Sequence, residues 1–303
     1  MKVSAGLKLG ISFFFNSFRA PYAIGLEISN DCQASCTMCK REKLHHEKMH
    51  MSMDIFEKVI SQAKKINIKV FQLSFYGDPL LDPEFSKKLS FLRKNIPDAT
   101  IVFNTNGQNL TDKLIGDILK FKVNIIRFSI EGNNKKEYEQ IRQGLNYDVL
   151  IKNIHNLKKK KDVEKSDLQI IVWGLSLEDF PLNKIDYSKF WKQYADKVEI
   201  RYENKIILNS KENFLQKLLP CHKPFSDLLI LADGSVTTCA KDWYREHVFG
   251  SVTKETISSL WFSKRMFVIR LVNLIGAKRL INPCSNCSYR VFNTHLQNKV
   301  FQN

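Results

Sequence analysis

The chain has 303 residues, 44% hydrophobic and 26% charged, which excludes disorder as its main state and leaves room for one large α/β unit or two domains. Lys and Arg number 47 against 31 Asp and Glu, a formal net charge of +16; such a balance attracts anions without choosing among nucleic acid, phosphorylated small molecules and acidic membrane surfaces. No uninterrupted apolar run approaches the roughly 18 residues of a membrane span.

Residues 1–20 form a leader in which Lys2 and Lys8 precede Leu9, Ile11, Phe13, Phe14 and Phe15. Its apolar stretch is short and runs into Asn16, Ser17, Phe18 and Arg19 without a small-residue cleavage pattern. An amphipathic segment packed on the body of a cytoplasmic protein is therefore expected rather than an export signal, with attachment to a membrane surface as the alternative.

Buried-strand patterns follow at Ala23–Ser29, Val70–Phe75, Thr100–Asn104, Asn124–Ile130, Leu168–Trp173 and Val198–Tyr202, dense in β-branched and aromatic residues. Helical stripes lie between them. Ile55, Phe56, Val59, Ile60, Ala63 and Ile66 trace the first behind a Ser52 cap; Phe85, Leu89 and Leu92 the second; Leu114, Ile115, Ile118 and Leu119, after Thr111, the third; Leu150, Ile154 and Leu157 the fourth. Parallel neighbours need crossover connections, so this alternation predicts an α/β fold, a partial (β/α)6 TIM-like barrel spanning residues 21–208; six units are too few to close an eight-stranded barrel.

Beyond this body, in residues 209–303, the rhythm changes. Leu228, Ile230, Val236 and Thr238 flank Ala232-Asp233-Gly234, a hairpin with an Asp-Gly turn. One helix is expected from Thr256 through Leu260, Trp261, Phe267, Ile269 and Leu271, then a loop with Cys284 and Cys287. This is a small second module.

The cysteines carry the chemistry. Cys32, Cys36 and Cys39 form C-x3-C-x2-C directly after the first predicted strand. Three thiolates on one short loop can hold three irons of a cubane cluster and leave the fourth open to a chelating ligand. A structural zinc site needs a fourth ligand, for which His45 or His46 would have to serve. The remaining cysteines, Cys221, Cys239, Cys284 and Cys287, bracket the hairpin and end in C-x2-C; four thiolates suit either a fully ligated four-iron cluster or zinc.

The triad resembles the hallmark of the radical S-adenosylmethionine (SAM) superfamily, and the resemblance runs from about Ala23 to Asn303. Tyr76-Gly77-Asp78-Pro79-Leu80 is similar to the family's Gly-Gly-Glu-Pro segment, which lines the amino end of SAM; Tyr76 and Asp78 depart from it. Asn104-Thr105-Asn106-Gly107 resembles the segment at the third strand's tip, and Ser129-Ile130-Glu131-Gly132 followed by Arg142 resembles the serine and arginine that hold the SAM ribose and carboxylate. Met38, inside the triad, is implied as a further cofactor contact. Gly77-Asp78-Pro79 and Asn106-Gly107 each also read as a plain turn, but Cys39, Gly77, Asn104 and Ser129 all fall at the C-terminal ends of successive predicted strands, the rim where parallel α/β folds build sites.

The tail resembles the SPASM/twitch module of the same superfamily, in its shorter twitch form, and the order and spacing of the seven cysteines look like those of twitch dehydrogenases in aminoglycoside biosynthesis. The resemblance implies SAM and two four-iron clusters as cofactors, reductive cleavage of SAM to a 5′-deoxyadenosyl radical, hydrogen abstraction from a polar small molecule with an anionic one favoured, and a flavodoxin- or ferredoxin-type electron donor. With every cysteine assigned to a cluster, no thiol is left to return hydrogen, which favours two-electron oxidation over epimerisation. A peptide-modifying enzyme of the same superfamily is the alternative, though the leader is too short for a peptide-recognition domain. A nucleic-acid-binding metal protein is the other class, disfavoured by the clustered cofactor segments. Arg201, at the last predicted strand's end, is placed either to meet a substrate anion or assist deprotonation, or to pair with Glu199 or Glu203.

Overall fold

The structure, a computed structural model, describes residues 18–41, 47–202, 220–277, 280–282, 284, 285 and 287. The leader through residue 17, His45, His46 and Glu203 lie outside these described residues. The six expected strands are present: β1 (Ala23–Leu26), β2 (Val70–Gln72), β3 (Thr100–Thr105), β4 (Ile125–Ser129), β5 (Gln169–Ser176) and β6 (Lys197–Tyr202). All are paired in parallel in that order, so each step needs a crossover. Helices α1 (Met53–Lys65), α2 (Phe85–Asn95), α3 (Asp112–Lys120), α4 (Lys135–Ile141), α5 (Tyr147–Val163) and α6 (Lys184–Trp191) supply them. The expected caps act: the Ser52 hydroxyl accepts from the Ile55 amide and Thr111 from Leu114, each worth about 1 kcal/mol.

Side chains alternate across each strand. One set, including Ile24, Leu26, Phe71, Phe103, Ile126, Phe128 and Val172, is fully buried under the helices against Phe56, Ile60, Leu89 and Leu157. The opposite set, Gln72, Asn104, Arg127, Ser129, Trp173 and Glu199, faces the barrel interior and is half-buried, and Arg201, on the same face of β6, is exposed. That polar inner face is what the fold offers to a ligand.

The C-terminal region differs from the sequence expectation in two ways. The hairpin is there, β7 (Asp227–Ile230) and β8 (Ser235–Thr237), with Gly234 at φ 83° supplying the turn. However, β7 also pairs in parallel with β1, Ile24 opposite Leu228 and Leu26 opposite Ile230. The hairpin therefore continues the barrel sheet, which has nine strands in the order β9-β8-β7-β1-β2-β3-β4-β5-β6, with β9 at Gly250–Ser251. The expected single helix is two, α7 (Ile257–Trp261) and α8 (Lys264–Leu274). Ser263 ends the first and caps the second by accepting from Met266. Trp261 is fully buried, and its indole N–H donates to the Arg19 carbonyl at 2.6 Å. No helix among the described residues is long and apolar enough to cross a membrane.

The junction between β1 and the hairpin holds a buried polar group. Glu27 has no exposure and accepts from the Ala232 amide through Oε2, with Arg245 Nη2 at 4.0 Å. Arg245 also binds Asp233 at 2.7 Å. Burial dominates and pushes the Glu27 carboxyl up to about 7.

Candidate active site

Backbone and side-chain bonds shape the loop after β1 before any ligand is considered. Asp31 accepts from the Cys32 amide at 2.8 Å, the Arg41 guanidinium donates to the carbonyls of Cys32 and Ala34, and the Cys39 amide donates to the Cys36 carbonyl at 3.0 Å. A two-residue ladder pairs Ser35 and Cys36 with Gln143 and Arg142. The loop is thus pinned to the segment after α4. Cys32, Cys36 and Cys39 are all reduced and half-buried. Burial, then Glu131 and the neighbouring Cys32 and Cys39, push the Cys36 thiol up to about 11, against the pull of Arg142.

Two side chains from elsewhere in the barrel reach these sulfurs. Asn106 Nδ2 lies 3.7 Å from Cys32 Sγ, and Arg142 Nη1 lies 3.7 Å from Cys36 Sγ. Arg142 is also ion-paired through Nε to Glu131, and both residues are buried. Burial works against the charge of Arg142, yet Glu131 and Cys36 beside it hold it protonated well above the ordinary arginine range.

The tips of β2 and β3 are tied to the same loop. Gly77 fits because it has no side chain: a Cβ there would stand 2.3 Å from the Asp31 carbonyl oxygen. The next amide, of Asp78, donates to that carbonyl at 2.7 Å. Asp78 is buried and accepts from the amides of Leu80 and Asn106 and from the Thr105 hydroxyl. Its carboxylate therefore organises the β3 tip and aims Asn106. Pro79 is buried at the start of the short turn that Asp78 caps. Tyr76 turns elsewhere: its phenol donates to the Asp242 carbonyl at 3.0 Å and its ring lies 4.7 Å from that of Trp243. Its side chain joins the C-terminal region, and its backbone stays beside Gly77.

Asn104 and Ser129 stand at the rim as expected, half-buried, while Met38 lies half-buried in the cysteine loop. Asn104 Oδ1 is buried with no hydrogen-bond partner among the described residues, and a buried acceptor in that state calls for a donor.

The four later cysteines are also reduced and half-buried. Cys221 donates its amide to Asn273, Cys239 accepts the Lys241 amide on Sγ at 3.3 Å, and the Cys287 amide donates to the Cys284 carbonyl. Burial, with Cys221 and Cys287 nearby, pushes the Cys239 thiol up to about 12. Among the described residues, no three His, Cys, Asp or Glu side chains surround a single ion. An iron–sulfur cubane asks less of each group, one thiolate per iron, and both cysteine sets suit it.

Arg201 stacks on Trp173, its guanidinium carbon 3.4 Å from the ring centroid, and Glu199 takes the Trp173 indole N–H at 2.6 Å and Lys197 at 2.5 Å. Sequence reasoning did not single out Arg127, Trp173 or Glu27. The signal for Arg127 was present: it is a charge at an inward position within Ile125-Ile126-Arg127-Phe128.

A half-buried cysteine loop, sulfur-directed donors, a cradle that excludes a Cβ and an unpartnered acceptor at the rim fit a cluster with SAM. Comparison with known proteins agrees. The Radical SAM superfamily model matches residues 26–181, and the SPASM iron–sulfur cluster-binding domain model matches residues 221–288. The chain is 22% identical over 315 residues to a tungsten-containing aldehyde ferredoxin oxidoreductase cofactor-modifying protein of Pyrococcus furiosus, covering 88% of this chain and 86% of that one. It is 20% identical over 269 residues to the S-adenosyl-L-methionine-dependent 2-deoxy-scyllo-inosamine dehydrogenase of Niallia circulans, covering 88% and 92%. The crystal structure of BtrN in complex with AdoMet and 2-DOIA superposes with a TM-score of 0.61 at 17% identity, covering 89% of this chain and 94% of that one.

Proposed function

The chain belongs to the radical SAM superfamily, and from that premise we propose that it catalyses a two-electron oxidation of a polar, carbohydrate-like small molecule. It is a radical SAM enzyme that binds SAM with one four-iron cluster and carries an auxiliary cluster in its SPASM region. When bound, these groups would supply a 5′-deoxyadenosyl radical to take hydrogen from substrate and an acceptor for the second electron.

The chain's own residues do the rest. Cys32, Cys36 and Cys39 would hold the SAM cluster, with Asn106 and Arg142 directing N–H groups at two of the sulfurs. The Gly77 backbone, Asn104 Oδ1 and Ser129 line the rim for SAM, and Asp78 and Pro79 fix that rim in shape. Cys221, Cys239, Cys284 and Cys287 would hold the auxiliary cluster. A flavodoxin or ferredoxin would deliver the reducing electron.

One observation carries the choice of oxidation: the seven cysteines fall into two groups, three on the β1 loop and four in the C-terminal region, and none is left at the barrel interior to return hydrogen. The dehydrogenase relative, matched along most of both chains, supports the same reading. The test is turnover in deuterated water with a panel of sugars and aminocyclitols, comparing 5′-deoxyadenosine with product by mass spectrometry. A carbonyl product formed in proportion to 5′-deoxyadenosine is expected; a redox-neutral product carrying one carbon-bound deuterium would overturn the proposal in favour of epimerisation.

A further inference from the structure

Tyr76 carries the rim of the barrel to the second cysteine group. It follows β2 and directly precedes Gly77, whose backbone packs on the Asp31 carbonyl at the start of the first cysteine loop. Its ring is buried on Leu229 and Leu231 of the hairpin, with Ala240, Trp243 and Val248 beside them. Its phenol donates to the Asp242 carbonyl at 3.0 Å.

Asp242 closes the tight turn that contains Cys239. Its amide donates to the Cys239 carbonyl at 3.0 Å, and the Lys241 amide between them donates to Cys239 Sγ at 3.3 Å. The Asp242 carboxylate is buried and accepts from the Thr237 hydroxyl at 2.8 Å and from the amides of Glu246 and His247 at 2.9 and 3.0 Å. The turn after β8 is thus bonded within itself, and Tyr76 fastens it to the end of β2. The glycine of the family's segment would have no side chain to do so. Without the phenol the buried Asp242 carbonyl loses a donor, which favours a rearranged turn. An N–H aimed at a cysteine sulfur is one of the levers that set the reduction potential of an iron–sulfur cluster, because it stabilises the reduced, more negative state. A residue that holds the Lys241 amide on Cys239 therefore acts on a cluster there without touching it.

We propose that Tyr76 is a positioning residue for the auxiliary cluster: its phenol holds the Cys239 turn, and with it the Lys241 N–H on Cys239 Sγ, in the geometry that raises the cluster's potential. This rests on reading Cys239 as a ligand of that cluster. A higher potential makes the cluster a better acceptor of the second electron in the proposed oxidation. The pair Tyr76-Gly77 thus serves both sites, its glycine backbone at the SAM rim and its tyrosine side chain at the auxiliary cluster.

The test is an EPR-monitored redox titration of anaerobic holoprotein, which reads each cluster without turnover, so its outcome is separate from that of the oxidation proposal. Added SAM perturbs the signal of the cluster that binds it and so marks which signal is which. Tyr76→Phe keeps the ring and removes the hydroxyl. It should retain about eight irons per chain and wild-type SAM affinity, while the midpoint potential of the auxiliary cluster falls and that of the SAM cluster stays. Val248→Ala, which trims an apolar neighbour of the same ring, should leave both potentials where they are. Loss of the auxiliary iron alone from Tyr76→Phe, with the SAM cluster kept, would show the same dependence at full strength. An unchanged auxiliary potential in Tyr76→Phe would overturn the proposal. So would a parallel shift or loss of both clusters, a fall in SAM affinity, which would place the phenol in the cofactor site, or an equal shift in Val248→Ala, which would assign the effect to packing.

Discussion

The two cysteine groups are assembled differently. Cys32, Cys36 and Cys39 share one loop that is bonded to the tips of β2 and β3 and to the segment after α4, and two of their sulfurs meet side-chain donors from distant parts of the barrel. Cys221, Cys239, Cys284 and Cys287 come from three separate stretches of chain, and the contacts described for them are mostly with backbone amides and carbonyls. In the first group the barrel shapes the loop, and a cluster would be fitted into a site already formed. In the second a cluster held by these cysteines would itself tie the stretches together, which would couple metal binding there to folding.

This contrast breaks most severely if the first group is removed. Replacing Cys32, Cys36 and Cys39 by alanine should lower iron from about eight to about four per chain and reduce 5′-deoxyadenosine formation to background, with little change in thermal stability. Retained SAM cleavage in an anaerobic assay with dithionite would mean that the two groups have been assigned the wrong way round.

Cys239→Ala should show the opposite pattern. Iron again falls to about four, but SAM cleavage persists and stability drops by several kcal/mol, seen as a lower thermal midpoint and faster proteolysis near the hairpin. A melting curve that overlays that of the wild type would show the C-terminal stretches to be as well templated as the first loop.

The smallest effect sharpens the comparison at the junction itself. Glu27 has its folded pKa raised from 4.5 to about 7, so the folded state holds a proton that the unfolded chain has released between those values. Its contribution is fully present below about pH 4.5 and is lost as pH rises through about 7, at most about 3 kcal/mol. Glu27→Gln should flatten that slope in denaturant titrations from pH 5.5 to 8. An unchanged slope would assign the pH dependence to other groups.

How much of this was legible in the sequence depended on range. The strands β1 to β6 and helices α1, α2, α3 and α5 announce themselves through local periodicity, and the seven cysteines through spacing. Helices α4 and α6 bury mainly Tyr138 and Ile141, and Tyr187 and Trp191; two apolar contacts leave too faint a stripe to read. The split between α7 and α8 hides in Phe262-Ser263, a pair that also fits inside a helix until Ser263 is seen capping Met266. The pairing of β7 with β1 is a contact between stretches some two hundred residues apart that no local pattern encodes. Within the site, the positions were legible but not the directions of the side chains. Gly77 lies against Asp31 at the start of the cysteine loop, a contact the motif alone did not state, whereas Tyr76, one residue earlier, points its ring at Trp243.

The same β7–β1 pairing sets an order of events during synthesis. β1 leaves the ribosome ahead of both strands it pairs with, and one of its edges finds a partner once β2 follows. Its other edge has no native partner until residues 227–230 have emerged. Until then the growing barrel presents an apolar parallel strand, Ala23–Leu26, with a row of open backbone donors and acceptors, the kind of edge that recruits other chains. A ribosome stalled before the hairpin would release a product with that edge still open.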